Sequence, residues 1–594
     1  MRKMLKKAMA ATLTAGMLLN TCSMIYAEQK VIPQDELEEL KKKLQEEIDS
    51  YGWYEYEESI EYAVTEDACV EESASDSFIG DFLYSMVKPT FSSKSESKAA
   101  VPEVGMMEAS YMDASYMYPF NTEEYAALKE KGFTKVLTDP LSTFAADVDT
   151  GSYCNLRRMI NDNYRLDNIP GGAVRTEELL NYFDYTVDEK NRSDGKFSVQ
   201  YELTGCPWNA ENDLLLMTVQ ANQEEMDYKG NNFTFLLDTS GSMDYAEKIA
   251  LAKCSIKLLS YTLTEEDSVS IVTYSGDSYV ALDSCPGNDF DRICSVLDEI
   301  VPYGGTNGSG GITAAYELAE KNFVEDGNNR VFILSDGDMN LGITSNSGLT
   351  DLITEEKETG IFLTVLGFGS GNYSDDNMES IADAGNGNYF YIDCLDEAQH
   401  VLIENQKQTT VTAAKDVKFQ AEFNPAQVSE YRLIGYENRD VADDDFQNDS
   451  VDGGEVGAGA QVTLLYELVR NTDNSGEQPE SGLKYQTTGA LTEAAASEEL
   501  LTVSINYKEP AADTSVTESY AVMNEKAEKN SADMNLAISI AELSMMIHGS
   551  DFMGNTDWES IRGYAKEGAK GGDIYRIGYE MMVDQLYEAS FILR

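Results

Sequence analysis

The chain has 594 residues, 42% of them hydrophobic, and a formal net charge of −61. That length accommodates about two to four domains with proper cores, and the hydrophobic share excludes wholesale disorder. So acidic a surface repels phosphate backbones, which excludes a nucleic-acid partner and favours solubility and loose cation binding.

Residues 1–27 read as an export signal. Arg2, Lys3, Lys6 and Lys7 form a basic segment, Ala8 to Leu19 supply an apolar one too short for a bilayer span, and Ile25-Tyr26-Ala27 gives a cleavage site before Glu28. The expected location is extracytoplasmic, secreted or associated with the cell envelope. Lipidation is the alternative, because Leu18-Leu19-Asn20-Thr21-Cys22 resembles a bacterial lipobox, with Thr21 where Gly, Ala or Ser is usual. No other stretch is apolar enough for a transmembrane span. The eight cysteines include no CxxC pair, which argues against a zinc cluster or a thioredoxin-like redox site. Cys285 and Cys294 are the nearest local pair for a disulfide, and Cys254 reads as core.

Residues 28–138 begin with a charged, helix-prone stretch, 34–63, carrying Leu37, Leu40 and Leu44 at helical spacing, and continue as a flexible low-complexity stalk rich in Ser, Ala, Glu and Met. Residues 139–230 read as an N-terminal associated domain, with two helices in 152–185 around Pro170-Gly171-Gly172 and strands over Phe197 to Leu203 and Leu214 to Gln220. In 231–409, strands over Phe233 to Leu237, Val269 to Tyr274, Tyr279 to Leu282, Val331 to Leu334, Ile361 to Leu366 and Tyr389 to Ile392 alternate with helical stretches. This alternation predicts an α/β, Rossmann-like sheet, mostly parallel, with helices on both faces. Residues 410–594 are β-rich, with strands over Val417 to Phe423, Tyr431 to Tyr436, Val462 to Leu468 and Leu501 to Tyr507, and end in a helical tail from Ala532. The strands before 222 and after 414 either pair into one sandwich, with the α/β domain inserted in it, or form two separate flanking modules.

The chemistry concentrates at Asp238-Thr239-Ser240-Gly241-Ser242, at the carboxyl end of the first buried strand of the α/β domain. In open α/β sheets ligands bind at that edge. Alternation along a turn lets the oxygens of Asp238, Ser240 and Ser242 converge, and Gly241 permits the tight bend. A carboxylate and two hydroxyls are hard donors suited to Mg²⁺, Mn²⁺ or Ca²⁺. Gly304-Gly305-Thr306 opens a later helix and Ser335-Asp336-Gly337 ends a later strand, so Thr306 and Asp336 fall on the same edge.

This constellation resembles the metal-ion-dependent adhesion site of von Willebrand factor type A (vWA) domains, with Asp238, Ser240, Ser242, Thr306 and Asp336 in order over roughly residues 231–409. The resemblance implies a divalent cation, Mg²⁺ foremost, held directly by the hydroxyls and often through water by the carboxylates. The open position would take an Asp or Glu carboxylate from a protein partner. In that family ligand binding can shift the last helix, here about 395–408. Leu141-Ser142-Thr143-Phe144, Asn181-Tyr182-Phe183-Asp184, Cys206-Pro207-Trp208-Asn209 and Tyr431 through Arg439 further resemble bacterial vWA proteins of the YfbK type, a match over about 139–594.

The expected function is therefore that of an exported, metal-dependent binding or adhesion protein and not an enzyme. One alternative is an envelope-complex assembly or maturation factor that uses the vWA domain as scaffold. Another is phosphotransfer, since Asp147-Val148-Asp149-Thr150 is similar to the loop of haloacid dehalogenase enzymes, although its threonine comes one position early and a poor strand precedes it. The bland reading of that loop is a turn before the helix at 152–161. The acidic stretch from Asp443 to Glu455 lacks EF-hand spacing and reads as a solvated loop. His400 and His548, the two histidines, sit in no zinc or triad pattern, and His400 is expected at the surface of the last vWA helix.

Overall fold

The structure, a computed structural model, describes residues 32–51, 125, 128–222, 229–305, 308–337, 353, 359–369, 375–385, 387–451, 453–471, 491–510, 512–570 and 573–591. The export signal, Cys22, the stalk, Thr306 and most of the helix predicted over 349–359 lie outside them.

Helix α1 (Gln34–Ser50) sets Leu37, Leu44 and Ile48 on one face, and that face is buried in the core of the α/β domain. The chain then forms β1 (Thr134–Lys135), β2 (Leu141–Ala145), α2 (Gly151–Asn161), α3 (Thr176–Asn181), β3 (Phe197–Gly205) and β4 (Asn212–Ala221). The α/β domain follows: β5 (Asn231–Asp238), a π-helical turn (Ala246–Ala250), α4 (Leu251–Ser260), β6 (Ser268–Tyr274), β7 (Ser278–Pro286), α5 (Phe290–Glu299), α6 (Gly308–Lys321), β8 (Asn328–Ser335), β9 (Phe362–Phe368), α7 (Asp375–Ala384), β10 (Asn388–Ile392) and α8 (Leu395–Gln399). A second π-helical turn (His400–Glu404) separates α8 from α9 (Gln406–Thr410), so the predicted last helix is broken into three pieces. The return segment carries β11 (Thr412–Phe423), β12 (Val428–Leu433), β13 (Gly454–Gly457), β14 (Gln461–Arg470), β15 (Glu499–Lys508), β16 (Val516–Met523), α10 (Ala532–His548), α11 (Trp558–Gly568) and α12 (Ile574–Phe591).

The α/β sheet has the order β10-β9-β8-β5-β6-β7, parallel except for the antiparallel edge strand β7. Its strands alternate with period two: Phe233, Phe235 and Leu237 enter the core shared with α1, while Leu236 points to the opposite core.

Strands from both flanks pair with each other. β4 lies against β14 over nine residue pairs, from Gln220↔Gln461 to Asn212↔Val469, in a sheet ordered β1-β12-β14-β4-β3. The facing sheet runs β13-β11-β15-β16, with β2 on β11. The flanks thus form one β-sandwich, and the α/β domain is inserted in it. The strands β2, β3 and β4 of residues 139–230 are part of this sandwich, and β4 is joined through β14 to residues beyond 410. β4 is buried on both faces because Leu215, Met217 and Val219 fill the sandwich while Leu214 and Leu216 meet the helical core. That second core joins α2, α10, α12 and one face of the α/β sheet.

The C-terminal helices have clear ends. Ser531 accepts from Met534 N at the start of α10, Gly549 closes it in the left-handed region (φ 64°), and Asp557 caps α11. No helix among the described residues is long and apolar enough to cross a membrane. The six described cysteines, Cys285 and Cys294 among them, form no disulfide with one another.

Candidate metal centre

β5 delivers Asp238 fully buried to the carboxyl edge of the sheet, and a short 3-10 turn (Gly241–Met243) then reverses the chain. Backbone bonds fix this loop: Thr239 N donates to Tyr274 O (2.9 Å), Tyr303 N to Thr239 O (2.7 Å) and Gly241 N to Gly304 O (3.2 Å). The Asp238 carboxylate is held from three sides. Oδ1 accepts from Ser240 N (2.9 Å), and Oδ2 accepts from the Tyr274 hydroxyl (3.1 Å) and the Ser335 hydroxyl (3.0 Å). The Ser240 and Ser242 hydroxyls lie 2.9 Å apart. Asp336, buried at the end of β8, completes the described part of the constellation. The structure thus brings Asp238, Ser240, Ser242 and Asp336 to one edge; Thr306 lies outside the described residues.

Burial pushes the Asp238 carboxyl up to about 7, and the neighbouring Asp336 charge pushes the same way. Two carboxylates and two hydroxyls gathered on one edge fit a divalent cation, which would find hard oxygen donors there and favour the ionised form of the buried Asp238.

One member of the site, Lys248, was not legible in the sequence. Lys248, on the π-helical turn, donates from Nζ to Asp336 Oδ2 (2.9 Å) and to the Ser242 carbonyl (3.0 Å). Its signal was a lysine early in an otherwise apolar helical run, which reads equally as a surface charge. The supporting hydroxyls of Tyr274 and Ser335 were also unforeseen, because donors at the ends of neighbouring strands become partners only once sheet order is known.

A von Willebrand factor type A domain family model matches residues 232–404. A model described as von Willebrand factor matches 119–216, and one described as Uncharacterized protein YfbK, C-terminal, matches 408–588. Uncharacterized protein YfbK of Escherichia coli (strain K12) is 38% identical over 478 residues, 79% of this chain and 80% of that protein. This chain belongs to the YfbK family of vWA-domain proteins. Similar solved structures include the von Willebrand factor type A protein from Catenulispora acidiphila (14% identity, TM-score 0.36, 63% of this chain and 87% of that one). Another is BatB, a conserved hypothetical protein from Bacteroides thetaiotaomicron (21% identity, TM-score 0.26, 30% of this chain and 98% of that one). Membership supports a role in protein interaction or adhesion for the vWA domain.

Two further constellations join the vWA domain to its flanks. Cys154, Asp393 and Glu397 place ligand atoms within 4.8 Å of one another, the only such group of three among the described residues. The Arg157 guanidinium already occupies it, donating to Asp393 Oδ1 (2.5 Å), Glu397 Oε2 (2.8 Å) and Cys154 Sγ (3.5 Å). Burial holds the Cys154 thiol far above its usual range. This is an ion-paired hub, with its cation supplied by the chain.

Asp147 belongs to the second. Its Oδ1 accepts from Asp149 N (2.8 Å), its Oδ2 from Arg439 Nε (2.9 Å), and the side chain is buried. Arg439 Nη2 also reaches Asp149 Oδ2 (3.1 Å) and Glu379 Oε1 on α7 (2.8 Å). Asp149 Oδ1 accepts from Tyr389 N on β10 (3.1 Å). The loop therefore ties the sandwich to the vWA domain through its carboxylates, and does more than precede a helix.

His400 is not at the surface. It is 8% exposed, with ring centroids 5.2 Å from Tyr182 of the N-terminal flank and 4.0 Å from Tyr575 of α12. The π-helical turn that carries it is thereby wedged between both flanks.

Proposed function

We propose that this protein is an exported binding or adhesion protein whose vWA domain captures a protein partner through a divalent cation. Asp238, Ser240, Ser242 and Thr306 would hold the ion, Mg²⁺ foremost with Mn²⁺ or Ca²⁺ as alternatives. Asp336 would act from behind them, and an Asp or Glu of the partner would complete the coordination. The observation that carries this reading is the buried Asp238 carboxylate, held by Tyr274 and Ser335 beside two hydroxyls 2.9 Å apart. The basic and apolar segments before Glu28 support export.

The immobilised full-length chain should retain its surface or envelope partner in Mg²⁺ and release it in EDTA, and the Asp238→Ala variant should not retain it. Equal retention by both forms in EDTA would contradict the proposal. The role proposed is not enzymatic. With both Asp147 oxygens engaged and an arginine against one of them, the loop supports a structural counter-ion over a nucleophile. Phosphatase activity that is lost in Asp147→Asn while the variant stays folded would reverse that assignment.

A further inference from the structure

The metal site contains a cation of its own. Lys248 Nζ lies 2.9 Å from Asp336 Oδ2 and 3.0 Å from the Ser242 carbonyl, and its side chain is 3% exposed. The π-helical turn Ala246–Ala250 aims it there; such one-turn irregularities recur at functional sites because they redirect a side chain without ending the helix. The ammonium also stands 5.5 Å from the centre of the Tyr245 ring. Gly369, in the left-handed region at φ +81°, gives it room, since a Cβ there would collide with the Lys248 stem. A strongly hydrated ammonium is kept in so dry a place only where charge requires it.

We propose that Lys248 is a positioning residue that sets the charge of the metal site: it neutralises Asp336, so that a bound divalent ion faces one uncompensated carboxylate, that of Asp238. The ion then keeps a net positive charge and attracts a carboxylate from outside. Without Lys248, two carboxylates would satisfy the ion, which would bind more tightly and attract its partner less. The inference rests on the metal reading proposed above and adds to it the term that divides affinity between ion and partner.

The test is titration of the full-length chain with Mn²⁺, followed by calorimetry, with folding checked by thermal melts in EDTA. Removing a buried positive charge beside the ion should tighten Mn²⁺ binding on the order of tenfold in Lys248→Met. The double variant Lys248→Met/Asp336→Asn has the same formal charge as the wild type and should return towards its affinity. A second comparison avoids leaving Asp336 as a buried charge without its lysine in the critical variant: the double variant should bind Mn²⁺ on the order of tenfold more tightly than Asp336→Asn alone, which keeps the lysine. Unchanged or weaker Mn²⁺ binding in folded Lys248→Met, or equal affinities in the second pair, would overturn the inference and leave Lys248 as a brace. The metal reading is scored separately, by whether wild-type binding vanishes in Asp238→Ala. If neither the wild type nor the Lys248 variants bind Mn²⁺, both fall.

Discussion

Arg439→Ala should be among the most damaging single substitutions far from the metal. The guanidinium donates to Asp147 at 2.9 Å, Asp149 at 3.1 Å and Glu379 at 2.8 Å, which lie on two different modules. Their side chains are almost wholly out of solvent. Removing the cation takes this guanidinium away from Asp147 and Asp149, while Glu379 keeps its 3.0 Å pair with Arg175. Breaking a buried pair from one side costs about 3–5 kcal/mol, mostly the burden of the carboxylates left behind. Burial already raises Asp147 and Glu379 above the usual carboxylate range, and Arg439 opposes that rise. In the variant they rise further. A carboxylate whose folded pKa is raised binds its proton more tightly in the folded state, so stability falls as pH climbs from its unfolded pKa to its folded one. The deficit should therefore be large at pH 7.5 and smaller at pH 5. Arg439→Lys keeps the charge but loses the fork and should cost roughly half as much. Urea unfolding of all three forms at both pH values measures this. A loss below about 1 kcal/mol at pH 7.5, within the range of an exposed ion pair, would refute the reasoning.

Two other predictions concern separate parts of the fold. Burial pushes the Glu542 carboxyl up to about 7 from a usual 4.5, so wild-type stability should fall by about 3 kcal/mol as pH rises from 4.5 to 7. Glu542→Gln can still accept from the Ser560 hydroxyl. It should lose that slope and be the more stable form above pH 7 in denaturant titrations; an unchanged slope would remove Glu542 as its source. Gly369→Ala forces a Cβ onto the Lys248 stem at φ +81° and should lower stability by about 1–3 kcal/mol. It should also disturb the metal site, and a melting temperature equal to that of the wild type would show that the lysine moves freely.

Much of this architecture was legible in the sequence where burial is two-sided. β5, β6, β8 and β9 are near-continuous apolar runs because helices cover both faces, and the Asp-x-Ser-x-Ser turn follows from its place after the first of them. β16 was not foreseen: it is an edge strand, and Val516 to Ser519 are largely exposed, so hydrophobic alternation never develops. α7 was missed because Asp375-Asp376-Asn377 hides the helical spacing of Met378, Ile381 and Ala382. Pairing of β4 with β14 joins residues some 250 positions apart, and local patterns carry no information about such a partner. The same holds for His400. A histidine beside glutamate-rich sequence reads as solvated until Tyr182 and Tyr575 arrive from distant segments to cover it.

The central claim is that Asp238 and its neighbours hold a divalent cation. Calorimetric titration of the full-length chain with Mg²⁺ and Mn²⁺, beside Asp238→Ala, tests it most directly. The account predicts saturable binding at one site in the wild type and none in the variant. Saturable binding that survives in Asp238→Ala, or no saturable binding in the wild type, would contradict it.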